Sequence, residues 1–147
     1  MSRVQTDVSG NTMKIGLESG NYRNFTVEIV IVTSSLEKLD MNGTTDVEVN
    51  GFEDVNFFEI DTRGTGNLKM KGSAEKLVIS QVGTGDIKAF DFQVENCEVM
   101  MSGTGNSELN VSEMLEGNLT GTGDLYYKGS TSLDVKDTGT GDIINAN

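Results

Sequence analysis

Among its 147 residues the chain has no proline, no histidine and no tryptophan, and only one cysteine. Without histidine there is no imidazole base, which excludes a Ser-His-Asp triad and any histidine metal ligand. A lone cysteine cannot close an internal disulfide and says little about compartment. Bases are scarce: 11 Lys and Arg stand against 23 Asp and Glu, for a formal net charge of −12. Such a surface repels nucleic-acid phosphates and anionic lipid headgroups, so neither is expected as a partner. No window is apolar for the length a membrane-spanning helix needs. The start, Met1-Ser2-Arg3, is polar and lacks the apolar segment of a signal peptide. That leaves either a cytosolic protein or one whose signal has been removed. The length suits one ordinary domain with a sizeable core.

What is abundant is glycine, 18 residues of it, and it is periodic. Gly64-Thr65-Gly66-Asn67, Gly83-Thr84-Gly85-Asp86, Gly103-Thr104-Gly105-Asn106, Gly121-Thr122-Gly123-Asp124 and Gly139-Thr140-Gly141-Asp142 follow one pattern, and Gly43-Thr44-Thr45-Asp46 is a degenerate copy. Successive first glycines lie 21, 19, 20, 18 and 18 residues apart. A functional loop normally occurs once per domain, so a motif at this period reads as architecture.

The residues around each copy alternate. Phe58, Leu77, Cys97, Leu115 and Leu133 stand six positions before the first glycine, and Ile60, Ile79, Val99, Gly117 and Val135 stand four before. The residues between them are mostly acidic, the period-two pattern of a strand with one buried face. After the motif, Val47 and Val49, Leu68 and Met70, Ile87 and Ala89, and Leu125 and Tyr127 point inward. Glu48, Lys69, Lys88, Glu108 and Tyr126 point out. The copy at 107–111 is expected to slip, because Ser107 takes the first inward position. Asn50-Gly51, Lys71-Gly72-Ser73 and Lys128-Gly129-Ser130 read as a second corner. No helical stripe is sustained anywhere. The repeat is too short for a propeller blade and lacks the leucine-rich consensus.

The expected fold is therefore all-β: a single-stranded parallel β-helix, or β-solenoid, of about six coils of 18–21 residues. Coils stacked at about 4.8 Å make a rod about 30 Å long. No coil can bury its apolar face alone, and stacking turns the apolar columns into a continuous core. The solenoid is read as one domain over 1–147, with residues 1–36 an irregular first coil or cap and 37–147 the repeated coils. Within 1–36, Met13, Ile15 and Leu17 alternate, Ser19-Gly20-Asn21 turns, and Phe25 to Val32 is expected to form a long apolar strand. The chain stops half-way through a coil, at Ile143-Ile144-Asn145-Ala146-Asn147. Open solenoid ends make a homo-oligomer plausible.

In a solenoid the corner residues stack. Asp46, Asn67, Asp86, Asn106, Asp124 and Asp142 would form one ladder. Neighbouring carboxylates about 4.8 Å apart repel by about 1 kcal/mol in water. An interposed Asn doubles their spacing to about 10 Å, beyond a Debye length at physiological salt. The structural reading is that Asp or Asn closes its own corner as an Asx turn. Calcium is the first rival, but β-roll calcium motifs place the acid two residues after glycine, whereas here it follows directly, once per coil. A phosphate loop would need a lysine and a following helix. An ice-binding array would need paired threonines on a flat strand. No metal or other cofactor is expected.

Catalysis is the rival class. Some parallel β-helix proteins, the pectate lyases among them, cleave acidic polysaccharide with clustered Asp, Lys and Arg. Here Lys69, Lys71, Lys76, Lys88, Lys128 and Lys136 are scattered, and no residue breaks the repeat as a grafted site should. No catalytic residue is assigned. Cys97 shares a column with leucines and reads as a buried small hydrophobe. Tyr126 and Phe90 are outward rings able to stack on sugar; Phe52 and Phe92 are further candidates, but they fall in one column and read equally as packing together.

The run "KIGLESGNYRNFTVEIVIVTSSLEKLDMNGTTDVEV", followed by serial Gly-Thr-Gly-Asp/Asn units, resembles the family of putative auto-transporter adhesin, head GIN domains. Val27 to Val32, Leu36-Glu37-Lys38-Leu39 and Asn42-Gly43 carry the lead-in, and the resemblance covers about 13–147. It implies a right-handed β-helix, secreted, periplasmic or outer-membrane-anchored in a bacterium. It implies a non-enzymatic adhesin scaffold with a glycan, lipid or protein ligand, and brings no catalytic residues. The chain enters that family's pattern close to its middle, which implies either a truncated chain or missing strands that leave an open edge for a partner.

Overall fold

The computed structural model describes residues 4–20 and 26–147, and among them every regular element is a β-strand. The chain divides into two units, residues 1–32 and 33–147.

In the first unit, β1 (Val4–Ser9) and β2 (Thr12–Leu17) form an antiparallel hairpin. Gly10 turns it at φ +58°, a conformation that side chains with a Cβ resist. The alternation of Met13, Ile15 and Leu17 is thus a strand, but an antiparallel one and no solenoid coil. The long strand expected over Phe25–Val32 does not form: residues 26–32 carry no strand, and Val30 and Val32 are 79% and 94% exposed. Phe25 and Asn21 lie outside the described residues. The reason is that β-propensity measures how well a side chain suits a pleated, half-buried surface, and this segment has no partner strand among the described residues.

The second unit contains β3 (Lys38–Gly43), β4 (Val47–Gly64), β5 (Leu68–Gly83), β6 (Ile87–Gly103), β7 (Ser107–Leu119), β8 (Leu125–Lys128), β9 (Ser132–Asp137) and β10 (Ile143–Asn145). All their pairings are parallel. Each long strand finishes one coil and begins the next. On the entry side of the glycine corner, Leu39, Ile60, Ile79, Val99, Gly117 and Val135 stack in register. On the exit side, Val47, Leu68, Ile87, Ser107, Leu125 and Ile143 do the same. Six rungs on each side make a β-solenoid of about six turns, as the period implies.

The core lies between the two sides. Phe58, Ile60, Leu68, Leu77, Ile79, Ile87, Leu109, Leu115 and Leu125 are all 1% exposed or less. Each such side chain contributes about 1.5–3 kcal/mol by leaving water. Phe92, a candidate outward ring, is instead buried at 1% exposure, its centroid 6.1 Å from that of Phe58. Phe52 is half-buried against the same cluster. Both follow from register: Phe52, Gly72 and Phe92 form one column, and the missing side chain at Gly72 leaves room for the Phe92 ring.

The second corner has the positive φ expected of its glycines, +79° at Gly51, +140° at Gly72 and +103° at Gly129, and β4 and β5 continue through it with register shifts around Phe52. The bulge is stabilised by Asp54, at φ +54°, whose backbone N–H donates to Ser73 Oγ at 2.8 Å. The copy at 107–111 has the expected inward order, Ser107, Leu109 and Val111 all being buried, and its register against β6 shifts after Leu109. Ser107 stays in the column of Leu68, Ile87 and Leu125 and is fully buried. Its hydroxyl donates to Gln81 Oε1 at 2.5 Å, and Gln81 Nε2 donates to the carbonyl of Gly85 at 2.6 Å. A buried amide therefore satisfies a buried hydroxyl.

Candidate functional site: the glycine corner and the outer faces

The corner is built from three stacked columns. In the first, Gly64, Gly83, Gly103, Gly121 and Gly139 each lie against the glycine of the preceding coil. In the second, Gly66 lies against Thr45, and Gly85, Gly105, Gly123 and Gly141 each lie against the second glycine below. A Cβ built on any of these would overlap a backbone carbonyl oxygen of the coil beneath. The coils are drawn this close by hydrogen bonds: the N–H groups of Thr65, Thr84, Thr104, Thr122 and Thr140 donate to the carbonyls of Gly43, Gly64, Gly83, Gly103 and Gly121 at 2.8–2.9 Å.

The third column corrects the Asx-turn reading. From Asp46 to Asp124 the side chain of each Asp or Asn does reach a backbone N–H, but that of the next coil. Asp46 Oδ1 accepts from Asn67 N–H at 2.7 Å, and Asn67 Oδ1 from Asp86 N–H at 3.0 Å. Asp86 Oδ1 accepts from Asn106 at 2.9 Å, Asn106 Oδ1 from Asp124 at 2.8 Å, and Asp124 Oδ1 from Asp142 at 2.9 Å. Asp and Asn serve equally here because both carry Oδ1 as an acceptor. At the first step the amide adds a bond, Asn67 Nδ2 donating to Asp46 Oδ1 at 3.1 Å. The column is a zipper between coils, and one oxygen of every acid with a following coil is already engaged. The threonines between the glycines are exposed.

Outside the corner, Glu48, Lys69, Lys88, Glu108 and Tyr126 form one outward column on the exit side, as their parity implies. Along it Lys69 pairs with Glu48, 4.0 Å apart. Tyr126 is oriented by its hydroxyl, which donates to Asp124 Oδ2 at 3.2 Å. That bond, with the carboxylate's charge, raises the phenol above its ordinary value. Phe90 is half-exposed on the same side, with the ammonium of Lys128 5.0 Å from its ring centroid. Cys97 is 2% exposed, and burial, with a lesser push from Glu98, raises its thiol to about 12. It is a packing residue with almost no thiolate at neutral pH.

Sequence reasoning located the corner residues and Tyr126. It missed the partners Asp124 and Lys128 and the Gln81–Ser107 pair. The Asp124–Tyr126 spacing of two, which puts both on one side of an extended chain, was an available signal. The Gln81–Ser107 contact spans 26 positions and has no local signature.

A family model described as putative auto-transporter adhesin, head GIN domain, matches residues 1–131. The chain belongs to this family. The stacked parallel coils and serial glycine corners described above are how this member of the head GIN domain family is built. No curated protein and no solved structure matches the chain. No helix among the described residues is long and apolar enough to cross a membrane.

Proposed function

We propose that this head GIN domain is a non-enzymatic scaffold of the bacterial envelope, secreted, periplasmic or anchored at the outer membrane, that binds a glycan on the exit side of its solenoid. The family description, an adhesin head, supports a surface role. The observation that carries the glycan reading is the Tyr126 ring, fixed on the outer face by its bond to Asp124. A pre-oriented aromatic ring presents a flat apolar surface to a sugar face at little entropic cost. The hydrogen-bonded corner column supports a structural role for the repeated acids over a catalytic one. A glycan array probed with the parent protein and with Tyr126→Ala tests the reading. Binding of one glycan class, lost in Tyr126→Ala, is expected. Binding to no glycan removes the sugar form and turns the search to lipid or protein ligands.

A further inference from the structure

Where β6 meets β7 the register shifts. Val94 pairs with Val111, but Asn96 pairs with Met114, so Ser112 and Glu113 of β7 lie opposite the single residue Glu95. A bulge of this kind bends the strand and re-aims its side chains. Beside it on the outer face of the entry side is a notch of 190 Å³, lined by Lys76, Asn96, Cys97, Glu98, Met114 and Glu116. Lys76, Asn96 and Met114 form one register column, and Glu98 and Glu116 stand side by side in another.

The lining is mixed. The ammonium of Lys76 is 3.8 Å from the Glu98 carboxylate. An ammonium carries three donors and a carboxylate about four acceptor sites, so this pair keeps capacity for a ligand. Asn96 offers both a donor and an acceptor. Met114, 37% exposed, supplies an adaptable apolar edge, and the buried Cys97 thiol an inert wall. The volume is far more than a single ion or water needs.

We infer that this notch is a second binding site, separate from Tyr126, for a single hexose-sized polyol ring. A pyranose carries hydroxyls that each donate and accept, along with C–H edges that pack on apolar atoms. Recognising it takes donors and acceptors together with a short apolar wall, the set that Lys76, Asn96, Glu98, Glu116 and Met114 supply. Lys76 offsets one of the two carboxylates, which leaves a single net negative charge and too few oxygen ligands for a bare divalent cation. A wholly apolar ligand would strip water from four polar side chains and give nothing back.

The test is an amide NMR titration of the whole chain with the methyl glycosides of glucose, galactose and mannose and with N-acetylglucosamine, each to tens of millimolar. At least one probe shifts the amides of residues 96–98 and 114–116. Asn96→Ala and Glu116→Gln, both on the surface, weaken that binding by about fivefold to tenfold, the loss of roughly one hydrogen bond, with melting temperature unchanged. Tyr126→Ala leaves it intact. If no probe moves these amides, or if the shifts survive both notch variants, the inference fails. The glycan-array result is independent: array binding lost in Tyr126→Ala upholds the exit-side reading, and the amide shifts with the notch variants alone decide this one.

Discussion

Gly85 shows how one residue can be required for a reason other than its backbone angles. The repeat suggests a positive φ there, yet the positive angles fall on its neighbours, Gly83 at φ +129° among them. What Gly85 lacks is space, because a Cβ would overlap the carbonyl of Gly66 in the coil below. Gly85→Ala is therefore expected to cost about 2–3 kcal/mol, as overpacking does, and Gly85→Val more, both read as loss of melting temperature. A silent Gly85→Ala would mean the coils are spaced more widely. The ladder predicts a different pattern at Asn106. Asn106→Asp keeps the Oδ1 acceptor for Asp124 but places a carboxylate between Asp86 and Asp124, making four in a row with Asp142. The expected cost is about 1 kcal/mol or less at low salt, shrinking as salt screens it. A salt-independent loss would contradict the stacked column. Tyr126 supplies a pH test. Its phenol is raised above the ordinary 10.0 by its bond to Asp124, so the folded state holds that proton more tightly. The resulting stability is fully present below the unfolded value and is lost as pH rises through the folded one. Asp124→Asn keeps the acceptor for Asp142 and removes the charge, so Tyr126 should ionise at lower pH. Phenolate absorbance against a Tyr126→Phe control reads the change.

Among the elements, the strands of the solenoid differ from the segment at 26–32 in having partners. Leu68–Met70 and Ile87–Ala89 are no more β-prone than Val27–Val32, but each is flanked by parallel neighbours on both sides. Period and propensity describe a face; hydrogen-bonded neighbours make the strand. The same dependence explains Ser107. Its position looks like an error in an apolar column until Gln81, two strands away in the chain, is seen to meet it. Ser107→Ala should leave the Gln81 oxygen unsatisfied in the core and cost about 1–3 kcal/mol. Pairing it with Gln81→Leu should recover only part of that, because the Gly85 carbonyl then loses the Gln81 amide. A denaturant midpoint unchanged in the single variant would show that the pair is dispensable.

For the molecule as a whole, cohesion comes from repetition. Each coil buries its apolar column only against its neighbours, and the corner zipper adds one side-chain-to-backbone bond per step. Because the ladder's Oδ1 atoms are engaged by backbone N–H groups, chelator should leave the melting temperature within a degree or two, as differential scanning fluorimetry would show. A fall of many degrees on chelation would return the ladder to calcium. Part of all this was legible beforehand: six glycine corners, the inward and outward parity and the outward Tyr126 follow from period and alternation, which act locally. The zipper's direction and the bulge that opens the notch were not legible. Each joins residues about 18–21 positions apart or more, and depends on how far one coil slides along the next. Composition and spacing alone thus determined a β-solenoid of about six coils with no histidine chemistry. Only the stacked structure decided which atoms meet between coils, because register between strands is a relation among distant segments that no single coil encodes.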